Sequence, residues 1–345
     1  MTEMAKIALL GFGIVGGGVA KLLATNRTII ENRTMQPVAI KHILVRRDFP
    51  SSDFKSLMTQ SFDDILSDPE ITLVVEAMGG VSPAFDYAMS AMEHGKGFIT
   101  SNKELIAEKG DLLLAMAKKH NVCCLFEAAV GGATPIIRPI RRCLAANRIT
   151  SLAGVLNGTT NFILTKMHDD SLSYEAALRL AQNLGYAESD PFADVSGLDA
   201  CRKLAILCSM ICGKHVNPSS IETVGIASIT PKDIAKAAAS GCTIKLLARA
   251  QFAENGTLYA SVAPTIVPSS HLLAAVRNVH NGLFITTDMA GETLLCGRGA
   301  GALPTASAIA SDIIEALLSG GSSANCHWST QRAHVSRLDD ETTLI

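Results

Sequence analysis

The chain has 345 residues, 48% of them hydrophobic and 18% charged, with 27 glycines. At roughly 150 residues per domain this length fits about two domains, and the composition excludes intrinsic disorder and fibrous repeats. Lysine plus arginine total 30 against 32 aspartates and glutamates, a net charge of -2, so no global positive field exists for nucleic acid or an anionic bilayer, and neither is expected as a partner.

The first third alternates strand and helix. Residues 6–10 are a short apolar run ending in glycines, 15–23 carry helical spacing, and 38–45 are a second, β-branched run. A third strand is expected at 71–77, followed by Ser82 and Pro83 as N-cap and first position of a helix. A short strand at 98–100, a helix at 104–120 and a strand at 122–126 lead into the turn Gly131-Gly132. This rhythm implies a parallel sheet covered on both faces.

Beyond about residue 135 the rhythm changes. Helices at 135–145, 174–184, 197–212 and 231–239, strands at 149–155, 243–252, 257–266 and 283–287, and an NGTTN turn at 157–161 read as a second, α+β domain. Gly297 to Gly301 form a glycine-rich turn that opens a helix at 305–318, and the stretch after 320 is expected to be a loosely held tail. The division is therefore 1–135 completed by 297–320, then 136–296, then 321–345.

The longest apolar run, 204–212, falls well short of the roughly 20 residues a bilayer requires and reads as a buried helix. The N-terminus lacks the pattern of a secretory signal, so a cytoplasmic protein is expected. Nine cysteines, an odd number with no CxxC pair, read as reduced buried thiols rather than a disulfide framework or zinc site, and histidines such as His280 and His327 show no metal spacing.

Gly11, Gly13 and Gly16 form GxGxxG directly after a strand and at the start of a helix. There they allow a tight turn, close backbone approach to a pyrophosphate and a helix N-terminus facing the phosphates, which makes the first domain a Rossmann-type dinucleotide unit. The second strand ends in Arg46-Arg47, where a carboxylate would grip a free ribose hydroxyl, so a 2′-phosphate and hence NADP is favoured; an exposed arginine pair on a strand end is the alternative. The stretch 181–203, AQNLGYAESDPFADVSGLDACRK, packs Glu188, Asp190, Asp194 and Asp199 before Lys203. Asp199 and Lys203 share a helix face, either as an ordinary ion pair or, since the helix must be largely buried, as a proton-transfer site.

The run A-x3-G-Y-A-E-S-D-P-x2-D-V-x-G-x-D-x3-K resembles the signature of homoserine dehydrogenases, and TSNKE at 100–104, FEAAVGGATP at 126–135 and GRGAGALPTASAIASD at 297–312 resemble further segments of that family. Ser101 stands where alanine is usual and Arg298 where proline is common. The resemblance implies interconversion of L-homoserine and L-aspartate 4-semialdehyde within threonine, methionine and isoleucine biosynthesis. NADP would be the preferred cofactor, with NAD as the alternate, and a homodimer would form through the second, substrate-binding and dimerisation domain.

It also implies roles for individual residues. Lys203 would be the acid/base group, with Lys103 near nicotinamide and substrate and Asp199 positioning Lys203. Glu188 and Asp194 would hold the substrate, with Asn157, Thr159 and Tyr186 facing the same cleft. Gly11, Gly13, Ile14, Val15, Gly16, Arg46, Arg47, Gly79, Gly80, Lys103, Gly185 and Gly301 would bind the cofactor, with Gly299 touching it as well. A monovalent cation, Na+ or K+, would sit on the backbone carbonyls of Glu127, Val130, Gly132 and Thr134. The stretch after Leu318 is too short and polar for an ACT-type amino-acid-binding module of about 70 residues, so a short form without that module is expected. Two other readings stand beside this one. The first is an aldehyde dehydrogenase with a cysteine nucleophile, Cys201 being the nearest candidate. The second is a non-catalytic NADP(H)-sensing module.

Overall fold

The computed structural model describes residues 4–47, 49, 51–319 and 326–338, which form two compact units divided between 133 and 134, 300 and 301, and 330 and 331, the first and third segments making one unit and the second and fourth the other. In the first unit the alternating runs become strands β1 (Ala5–Leu10), β2 (Val38–Leu44), β3 (Met58–Thr59), β4 (Ile71–Glu76), β5 (Gly97–Thr100) and β6 (Cys124–Leu125). They pair in parallel in the order β3-β2-β1-β4-β5-β6, which puts the reversal of strand order between β1 and β4. Ligands bind open α/β sheets at that switch point.

Helices α1 (Ile14–Thr25) and α2 (Arg27–Thr34) follow β1, α3 (Asp63–Leu66) precedes β4, and α4 (Ala84–Glu93) and α5 (Lys103–His120) flank β5. Alternate residues Ile7, Leu9, Leu73, Val75 and Ile99 face one side of the sheet, where Val19 and Leu23 of α1 join Ala306, Ile309 and Ile313 in one apolar cluster. The latter three belong to the helix Ala302–Ser319, numbered α11 below. By length and composition it is the one helix among the described residues that could cross a membrane, yet it is half buried inside this unit as a core element. Gly18 permits its close approach, since a Cβ there would stand 2.8 Å from the Ala302 carbonyl oxygen.

The second unit contains β7 (Ile149–Val155), α6 (Gly158–Asp169), α7 (Tyr174–Asn183), α8 (Phe192–Val195), α9 (Leu198–Cys212), β8 (Lys214–His215), β9 (Glu222–Thr223), α10 (Pro231–Ala239), β10 (Cys242–Phe252), β11 (Leu258–Pro268), β12 (His280–Thr287) and β13 (Gly291–Arg298). After α11 come β14 (Ser329–Arg332) and β15 (Val335–Ser336). The main sheet runs β13-β12-β7-β10-β11-β15, antiparallel except for β15, and β9 also pairs with β11.

Several expectations are corrected. The helix expected at 135–145 is only a π-helical turn over Pro139–Cys143, because Pro139, one turn into that span, lacks the amide proton that would bond back to residue 135. Pro83, not Ser82, is the N-cap of α4, and the Ser82-Pro83 bond is cis. The segment leading to Gly297 is a full strand, β13, pairing with β12 through Arg298. Residues 326–338 are not loosely held: Cys326, Trp328 and Leu338 are buried, and Val335 pairs with Leu258. The apolar side chains find cover although the segment as a whole is polar. The rest of the expected tail, 321–325 and 339–345, lies outside the described residues.

β10 carries an ammonium into the interior. Lys245 is 2% exposed and donates to Asn161 Oδ1 at 2.9 Å and the Val276 carbonyl at 2.5 Å. Burial pushes its pKa down to about 8. The unfolded chain, titrating near about 10.4, therefore holds the extra proton above pH ~8, so stability rises with pH across that window and the cost is fully present below it. Lys245→Met is expected to flatten a rise of about 2 kcal/mol between pH ~7.5 and ~9.5, measured by denaturant unfolding. Parallel curves for the two proteins would refute this.

Candidate functional site

In the first unit, β1 ends at Leu10 and Gly11 takes φ +93, a conformation that side chains resist. A Cβ at Gly16 would stand 2.1 Å from the Gly11 carbonyl oxygen, whereas one at Gly13 would meet nothing within 4 Å. Gly16 thus lets α1 close on the turn, and Gly13 leaves the helix N-terminus bare, which suits an approaching pyrophosphate. Ile14, the first residue of α1, is 79% exposed, and Val15 is half-buried. A cavity of about 660 Å³ opens beside them, lined by Gly11, Gly13, Arg46, Arg47, Met78 and Tyr87 among others. Arg46 and Arg47 are exposed just past β2, with the Arg47 guanidinium 5.4 Å from the Phe49 ring centroid.

The neighbouring turn is organised by a residue that the sequence did not single out. Glu76, fully buried at the end of β4, accepts from Met78 N at 2.5 Å, Gly79 N at 3.0 Å and the Thr100 hydroxyl at 2.5 Å. The Thr100 hydroxyl in turn accepts from Asn102 N, and Asn102 Nδ2 donates to the Gly80 carbonyl at 2.6 Å. Asn102 also caps α5, accepting from Leu105 N. Together they fix Gly79 and Gly80, both at positive φ, and the start of the helix whose first residue is Lys103. Gly301, at φ +122, precedes α11. Asp312 of that helix, 2% exposed, accepts from Glu127 N at 2.9 Å and so pins the turn containing Glu127 and Val130.

The second unit brings Asp199, Lys203, Asn157 and Asp194 together. Lys203 is 7% exposed and donates to Asp199 Oδ2 at 2.8 Å and to the Leu156 carbonyl at 2.7 Å. Asn157, the N-cap of α6, donates to Asp194 Oδ1 at 2.7 Å and Asp199 Oδ2 at 2.8 Å, while its Oδ1 accepts from Thr160. Both of its amide protons serve carboxylates, so its geometry is that of a positioning residue rather than of a group open to substrate. Thr159 donates to the Tyr186 carbonyl at 2.7 Å; Tyr186, Glu188 and Gly185 are exposed on the segment after α7. Gly185 and Gly299 thus belong to this unit, and the other residues expected to bind cofactor to the first. Cys201 is buried and burial pushes its thiol up, the opposite of what a thiolate nucleophile needs.

A unit shaped for a dinucleotide, carried on one chain with a buried ammonium aimed by a carboxylate, is the arrangement of a nicotinamide-dependent dehydrogenase, where a proton must move as hydride does. The family model for homoserine dehydrogenase matches residues 135–314, and that for the homoserine dehydrogenase NAD binding domain matches 11–127. A homoserine dehydrogenase of Bacillus subtilis is 39% identical over 319 residues, covering 90% of this chain and 72% of its own length. The structure of a homoserine dehydrogenase from Thiobacillus denitrificans superposes with a TM-score of 0.89 at 37% identity, over 97% of this chain and 80% of that one. A hyperthermophilic archaeal homoserine dehydrogenase in complex with NADPH gives 0.76 at 27%, over 92% and 98%. The chain belongs to the homoserine dehydrogenase family. It is an NAD(P)-dependent oxidoreductase interconverting L-homoserine and L-aspartate 4-semialdehyde, small-molecule substrates of amino-acid biosynthesis. None of these relatives supports the non-catalytic sensing alternative.

Proposed function

We propose that Lys203 is the acid/base group of the homoserine dehydrogenase reaction and that Asp199 positions it. The observation that carries this reading is an ammonium buried on a largely buried helix and held by one carboxylate and one carbonyl. When bound, the nicotinamide supplies or accepts the hydride. As the aldehyde carbon gains its new C–H bond, the C=O electron pair moves onto oxygen. Lys203 stabilises that charge and hands over a proton, and in the other direction its neutral amine takes the hydroxyl proton of homoserine. Glu188 and Asp194 hold the ammonium and hydroxyl ends of the substrate, Thr159 and Tyr186 border them, and Asn157 orients Asp194 and Asp199. Lys103, at the head of α5, serves the nicotinamide and substrate. Assays of semialdehyde reduction and homoserine oxidation with both cofactors test the whole reading; absence of either activity would overturn it.

NADP is the preferred cofactor in this reading, because Arg46 and Arg47 line the cavity beside the glycine turn and no carboxylate lines it among the described residues. Charge-assisted hydrogen bonds contribute about 1.5–3 kcal/mol each, less when exposed. Replacing both arginines by alanine is expected to raise the KM for NADPH by about 10²-fold and that for NADH less than about threefold. Equal changes for the two cofactors would return the pair to surface arginines.

The carbonyls of Glu127, Val130, Gly132 and Thr134 are proposed to hold Na+ or K+. All four residues are buried, and Thr134 Oγ1 has no partner among the described residues, so the turn has unmet polar capacity. A homodimer built through the second unit and working in the cytoplasm completes the reading; sedimentation would test the first part.

A further inference from the structure

The Leu156 carbonyl that receives the Lys203 ammonium has a second donor. Asn281, fully buried on β12, donates from Nδ2 to the same oxygen at 3.1 Å. The sheet register explains why: Gly282 pairs with Val155, so Asn281 stands one step beyond, level with the chain as it leaves β7. Its amide is confined from the other side. A Cβ on Gly299 would lie 2.2 Å from Cγ, Nδ2 and Oδ1 of Asn281, so a side chain at 299 would displace the carboxamide. Asn281 Oδ1 has no hydrogen-bond partner among the described residues. A buried unsatisfied acceptor is destabilising, and a leucine of nearly the same shape would remove that cost, so packing alone gives no reason for an asparagine here.

We propose that Asn281, confined by Gly299, is a positioning residue for Lys203. Its N–H fixes the Leu156 carbonyl where that oxygen orients the ammonium, and by occupying one lone pair it loosens the carbonyl's hold on the proton to be delivered. Gly299 thereby gains a role that does not require contact with the cofactor. The inference rests on Lys203 being the acid/base group.

The test is Asn281→Leu, with kcat, both KM values and Tm measured on the full-length protein. The expected result is a kcat lower by about tenfold or more, the equivalent of one hydrogen bond, with KM for the nucleotide unchanged and Tm equal or higher. A merely structural asparagine would move Tm and leave kcat alone. A kcat within about twofold of the parent in a folded Asn281→Leu protein overturns the proposal. Should that variant fail to fold, Asn281→Asp keeps the shape and removes the donor, and Gly299→Ala displaces the amide; normal kcat in both also overturns it. Lys203→Met, measured alongside, separates the two readings: if it remains active the acid/base assignment has failed, whereas if it is inactive and the Asn281 variants are normal, only the role of Asn281 has.

Discussion

Lys203→Ala is expected to lower kcat by about 10³-fold or more in both directions while nucleotide affinity stays within about twofold. The residue lies on α9 in the second unit and the glycine turn in the first, so on the roles proposed above its loss removes proton transfer and charge stabilisation and leaves the phosphate contacts in place. The substitution also leaves the buried Asp199 without its cation, and removing one partner of a buried pair costs about 3–5 kcal/mol. Here Asn157 Nδ2 still donates to Asp199 Oδ2, so part of that loss is offset. Turnover, nucleotide titration by fluorescence and Tm on one preparation check the expectation. A folded Lys203→Ala protein with near-parental kcat would assign the chemistry elsewhere.

The second large effect is on stability. Trp328 is 6% exposed, and its ring meets Phe126 edge-on with centroids 5.7 Å apart. It presses close to α5, where a Cβ at Gly110 would stand 2.4 Å from the indole ring. Trp328→Ala is expected to destabilise the first unit by about 3–5 kcal/mol, the range for emptying a large aromatic site. Denaturant unfolding measures it, and a loss below about 1 kcal/mol would mean that the segment is dispensable after all.

The parallel sheet and its glycine turn were legible because each depends on neighbours in the sequence: apolar runs of strand length, helical spacing between them, and three glycines at one junction. The pairing of Asp199 with Lys203 was legible for the same reason, being one helical turn apart. What escaped depends on residues brought together from afar. Glu76 looks like an ordinary polar end to an apolar run until Thr100, 24 positions on, and two turn amides close around it. Asn281 is 125 positions from Leu156 and sits in an unremarkable Asn-Gly step. β13, flanked by glycines and on the sheet edge with no buried residue, lacks the alternation that marks a half-covered strand. Asn157 reads as a turn residue in sequence, and only the packing of α8 against α6, with α9 beside α8, turns it into the group that aims two carboxylates.

The return of the chain to seal the first unit with α11 also sets the order in which the protein can be made. A ribosome that has released residues 1–133 has delivered every strand of the nucleotide sheet but not the helix that covers Ile7, Leu9, Val75 and Ile99. That apolar face must wait through the synthesis of 134–300, a contiguous block with its own sheet that emerges before the first unit is whole. The nascent nucleotide unit is therefore the one exposed to chaperones and proteases. A chain cut anywhere ahead of Ala302 carries the complete glycine motif on a sheet face that α1 covers but α11 does not.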